Sequence, residues 1–157
     1  ISFNCGAGRD DRVKEMIRDS LLVTGGIMAA GTVLFVVFPV QIMGLFHAGG
    51  TLLKMGIMAF RIISIGFLFS AVGGVYSGVF EALGKGSASL AVSTLRQFFI
   101  IPVLSLFLVS RMGINGIWAS FPAAEAAAAL AAVLLYRKYS YKKKKTEDIQ
   151  NAVRRRQ

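Results

Sequence analysis

The sequence predicts an all-α integral membrane protein built on four antiparallel transmembrane helices, and three observations carry that prediction. The 157-residue chain is 55% hydrophobic and only 17% charged, with a mean hydropathy of +0.62. A soluble domain averages about 25% charged residues, so this chain lacks the polar surface to cover a water-exposed core. Its charges divide it into four long apolar runs. None of the runs alternates as a membrane β-strand would, and a backbone in lipid must then satisfy its hydrogen bonds within a helix.

The elements follow in chain order. Residues 1–19 carry mixed charges and read as the end of a preceding helix and a loop. The stretch from Ser20 to Phe46 is free of charge, and Ile62 to Phe80 lies uncharged between Arg61 and Glu81. Gly86 to Ser110 holds one charge, Arg96, and Met112 to Tyr136 holds one, Glu125. Each run is long enough to cross a hydrocarbon core of ~30 Å at ~1.5 Å per residue. The spans are placed at about 20–42, 57–81, 88–110 and 114–136, with Pro39 as a helix stop in the first. Short connections at 46–54, 84–87 and 111–113 predict that sequential spans are antiparallel neighbours.

The net charge of +10 is concentrated in residues 137–157, where nine Lys/Arg face two acids and contribute +7. Beside apolar spans this reads as a cytoplasmic flank against anionic lipid. An even number of spans returns both ends to the same side. The N-terminal flank holds Arg9, Arg12, Lys14 and Arg18, so both ends are expected in the cytoplasm. Few aromatics interleave with the tail's bases, and no nucleic-acid partner is expected. One cysteine, Cys5, excludes an intrachain disulfide. The single His47 has no second ligand nearby, and Gly84-Lys85-Gly86-Ser87 has the wrong spacing for a phosphate loop. An enzyme is not expected, nor a cofactor or metal. The start at Ile1, without a Met, reads as a piece of a longer product.

Two features of the spans point toward function. Span two carries small residues every fourth position, at Gly66, Ser70, Gly74, Gly78 and Ala82. Such a row first predicts close helix packing. Gly66, Ser70, Gly74, Tyr76 and Ser77 are also the residues expected to line a cavity. Arg96 and Glu125 are charges inside spans, each costing about 2.5–3.5 kcal/mol on insertion scales. Counting along antiparallel helices puts Arg96 about 12 Å and Glu125 about 14 Å from the same membrane face. The matched depth predicts an ion pair. It would serve as a fixed clamp between helices or as a switch, since a buried carboxylate parted from its Arg can carry a proton. Pro102 and Pro122 interrupt spans three and four and are expected to kink them.

Several segments in series carry a resemblance. They are Ile1-Ser2-Phe3-Asn4-Cys5-Gly6-Ala7-Gly8-Arg9, Phe80-Glu81-Ala82-Leu83-Gly84-Lys85, and Leu95-Arg96-Gln97 followed by Pro102. Gly113-Ile114-Asn115-Gly116-Ile117-Trp118 and Pro122-Ala123-Ala124-Glu125 complete the series. Their order and spacing resemble those of multidrug and toxic compound extrusion (MATE) transporters, over nearly the whole chain to Tyr139. The resemblance implies an antiporter of twelve helices in two lobes that exchanges external Na⁺ or H⁺ for cationic or amphipathic drugs. This chain would be part of the C-terminal six-helix lobe, in the inner cell membrane, with the missing N-terminal lobe as its partner. The sequence departs from the family pattern at Cys5, where an aromatic is common, at Glu81 in place of Gln, and at Glu125 in place of Asp. Ile62 to Phe80 lacks the coupling acid that some members carry. The rival expectation is a small four-helix membrane scaffold or regulatory protein.

Overall fold

The computed structural model describes the backbone of residues 1–154, with the side chains of residue 88 and of 141–154 outside the description. The helices are α1 Ser2–Gly6, α2 Asp10–Val37, α3 Pro39–Leu45, α4 Gly50–Ala82, α5 Gly86–Thr94, α6 Ile101–Met112 and α7 Ile114–Arg154. A π-helical segment, Leu95–Ile100, joins α5 to α6. Four stretches are long and apolar enough to cross a membrane: Asp10–Val37, Gly50–Ala82, Ser89–Met112 and Ile114–Ser140. The protein is an all-α, multi-pass membrane protein.

The helix bounds depart from the charge-free runs that locate the spans. α2 begins at Asp10 rather than near residue 20, and its first turn carries Asp10 and Asp11 against the positive helix end. It stops at Val37, short of residue 42, because Pro39 disfavours helical backbone at Phe38. Arg61 Nε donates to the Val36 carbonyl at 3.3 Å, engaging one of the carbonyls stranded at that helix end. The basic segment expected at 137–157 continues α7 as helix through Arg154, and residues 155–157 lie outside the described residues.

Left-handed backbone closes two of the helices, one at a glycine and one at a histidine. Gly84, at φ +70, ends α4 with Lys85 N–H on the Phe80 carbonyl (2.8 Å) and Gly84 N–H on that of Glu81 (2.9 Å). His47, at φ +52, takes the same role after α3 at the cost of a side chain in a crowded conformation.

α4 is the centre of the bundle and packs along α2 on one side and α7 on the other. α6 packs along α7 rather than along α4, which α5 meets only near their shared turn. Spans two and three are therefore neighbours through α5 alone, and the rest of span three packs on span four. Small residues explain the substitution of partner. A Cβ on Gly66 would lie 3.1 Å from Pro122 Cα, and one on Gly73 would lie 3.9 Å from Ala129 Cα. Ala124, Ala128, Ala129 and Ala132 are buried on the same face of α7. Gly116 abuts the Leu108 carbonyl so closely that a Cβ would overlap it, which sets α6 tight against α7. Ser105 and Ser120 hydroxyls join across that interface at 2.7 Å. On the other side, Thr32 Oγ1 donates to the Ser64 carbonyl at 2.9 Å, and Phe35 meets Phe60 and Phe67 edge-on.

Candidate functional site

The site grows from the divergence of α4 and α6. Because α7 separates them, a cavity of about 350 Å³ opens between α4, α5 with its π segment, and α7. Its walls include Ser70, Gly73, Gly74 and Ser77 of α4, Ser93 of α5, Arg96 of the π segment and Glu125 of α7. Arg96 Nη1 donates to Glu125 Oε2 at 2.6 Å, with side chains 28% and 18% exposed. The pair is thus partly buried and lines the cavity together with the serine hydroxyls. A charge-assisted contact of this length is among the stronger hydrogen bonds.

The backbone around Arg96 is specialised. Pro102 has no N–H to give the helix, and its ring crowds the carbonyl four residues back. The preceding turn is widened, and Ile101 N–H bonds the Arg96 carbonyl five residues back. A π turn in place of an α turn changes the azimuth of the residues before it, and such turns recur at functional sites. Arg96 Nε is buried and has no hydrogen-bond partner among the described residues. Pro122 lies inside α7, one turn before Glu125, with its Cα against Gly66.

The structure brings Ser70, Gly74 and Ser77 together with Arg96 and Glu125. Two residues expected in the cavity lie elsewhere. Gly66 is buried against Pro122, so its role is to admit α7. Tyr76 points to the far side of α4, where its ring stands 5.2 Å from that of Tyr136. It packs on a small core formed by Val13, Ile17 and Val79. Gly73 and Ser93 are cavity residues that the sequence reading missed. The signal for Ser93 is its position three residues before Arg96, on one helical face. Glu81 and Lys85 fasten the end of α4 instead. Buried Ser89 donates to Glu81 Oε1 at 3.0 Å, and the Lys85 ammonium lies 3.9 Å over the Tyr139 ring.

The MatE family profile matches residues 1–107, which take in α1 through most of α6. The chain belongs to the MatE family. This MatE chain is 26% identical over 136 residues to the multidrug export protein MepA of Staphylococcus aureus strain N315, covering 86% of this chain and 30% of that protein. It is 27% identical over 125 residues to MepA of Staphylococcus saprophyticus subsp. saprophyticus, covering 79% of this chain and 27% of that protein. The chain therefore spans about three-tenths of the length of the curated relatives it matches. No solved structure matches it.

Proposed function

We propose that this MatE chain is part of the C-terminal lobe of a secondary active multidrug exporter, which antiports cationic or amphipathic drugs against Na⁺ or H⁺. The observation that carries the reading is the Arg96–Glu125 pair, closed at 2.6 Å in a polar chamber between membrane-spanning helices. A carboxylate held by a guanidinium is electrically neutral as a pair. When the lobes rock between inward and outward states, parting of the π segment from α7 frees Glu125 to take up a proton or Na⁺, and closure expels it. Ser70, Ser77 and Ser93 supply hydroxyls to the same chamber.

Binding partners follow from the unfilled surfaces. A groove of about 410 Å³ runs from Ile1 past Ser20, Thr24, Gly74 and Gly78. Its small residues suit a further helix of the same transporter. The basic ends face the cytoplasm, and the membrane is the inner cell membrane. The transporter takes no cofactor, and its partners are the N-terminal lobe, lipid and drug.

The test uses the full-length transporter in vesicles with an imposed Na⁺ or pH gradient. Glu125→Gln is expected to reduce ethidium efflux at least tenfold at unchanged protein level, with Glu125→Asp retaining it. Efflux equal to wild type in Glu125→Gln rejects the coupling role.

A further inference from the structure

We propose that the groove between the start of α2, the last two turns of α4 and the end of the membrane-crossing part of α7 is a binding site for an anionic phospholipid. The groove holds about 390 Å³ and is lined by Lys14, Ile17, Arg18, Leu21, Leu22, Tyr76 and Tyr136. Its chemistry changes along α2. Lys14 and Arg18 are four residues apart and share a helical face. Leu21 and Leu22 follow, just inside the charge-free run that begins at Ser20. Lys14 to Leu22 is about 12 Å along the axis, enough to pass from the headgroup layer into hydrocarbon. The bases thus stand where a phosphate lies, and the leucines where an acyl chain begins.

Two further observations assign the groove to lipid rather than to protein. At ~100° per residue, Tyr76 lies about 160° around α4 from Gly74. Gly74 borders both the chamber of the ion pair and the small-residue groove at Ile1, so Tyr76 faces away from the surfaces suited to further helices. The two tyrosines, 5.2 Å apart, are the amphipathic rings favoured at headgroup level. Among the described residues Lys14 is held by an exposed contact to Asp11 at 3.5 Å, which a phosphate readily replaces. Leu22 is 63% exposed. The inference rests on the membrane-spanning character of α2 and is independent of the transport reading.

The test counts bound lipid by native mass spectrometry on the purified full-length transporter, titrated with phosphatidylglycerol or phosphatidylcholine. Phosphatidylglycerol is expected to bind in preference. A surface base contributes about fivefold to anionic-lipid affinity, so Lys14→Gln/Arg18→Gln should weaken that binding about thirtyfold. Lys14→Arg should retain it, and Arg9→Gln/Arg12→Gln, outside the groove, should leave it unchanged. Equal binding of the two lipids, or a preference that survives Lys14→Gln/Arg18→Gln, overturns the proposal. So does disulfide trapping of Leu22→Cys by another segment of the transporter or by a second copy. Because lipid is counted directly, a transporter dead in efflux still yields a decisive answer.

Discussion

Removing either charge of the Arg96–Glu125 pair should cost far more than removing both. The contact is 2.6 Å between Nη1 and Oε2, which sets the charge centres about 4 Å apart. At an effective dielectric of ~20 that separation gives an attraction of about 4 kcal/mol. The side chains keep 28% and 18% exposure, so the chamber returns part of this through solvation. Glu125→Gln or Arg96→Gln alone strands the partner in a bundle between membrane helices, a loss of about 3 kcal/mol. Arg96→Gln/Glu125→Gln leaves two neutral amides able to bond each other, with a loss of about 1 kcal/mol. The expected coupling energy, the two single losses less the double, is therefore about 5 kcal/mol at most, and about 2–3 kcal/mol once the solvation kept by the partly exposed side chains is discounted. Steric trapping of the full-length transporter in lipid bicelles reads these stabilities. Single losses that add to the double within ~0.5 kcal/mol would refute the reasoning, since independent sites behave that way.

Three further experiments test packing and backbone conformation. Gly66→Ala should destabilise by about 1–3 kcal/mol, because its methyl meets Pro122 backbone at 3.1 Å, and thermal unfolding reads the loss. Ser105→Ala and Ser120→Ala should show a coupling of about 0.6 kcal/mol in a double-mutant cycle, the usual worth of a hydrogen bond between membrane helices. His47→Gly should raise stability by about 1 kcal/mol by relieving a left-handed side chain, and a lower melting temperature would show that the imidazole contributes there.

Much of the site's depth was legible in the sequence, and little of its azimuth. Helical rise is constant, so counting residues from each membrane face brought Arg96 and Glu125 to a common level before any contact was known. Which face each residue presents depends on neighbours. Tyr76 sits within the stretch bearing Ser70, Gly74 and Ser77, yet it points across the helix to Tyr136. Gly66 belongs to the same row of small residues as Gly74, yet one is buried against Pro122 and the other opens on a chamber.

The sequence by itself determined that the chain crosses a membrane as four helices. Its apolar runs are too long and too poor in charge for anything else, and a backbone in hydrocarbon has no other way to satisfy its polar groups. It also determined that Arg96 and Glu125 would lie within those helices. Tertiary structure alone decided that α7 stands between α4 and α6, because that choice rests on Gly66 admitting Pro122 and Gly116 admitting the Leu108 carbonyl across long sequence separations. The same insertion parts α4 from α6 and opens the chamber in which the π turn at Leu95–Ile100 holds Arg96 against Glu125. Hydropathy records how deep a residue lies, and only the fit of one helix surface on another records what it faces.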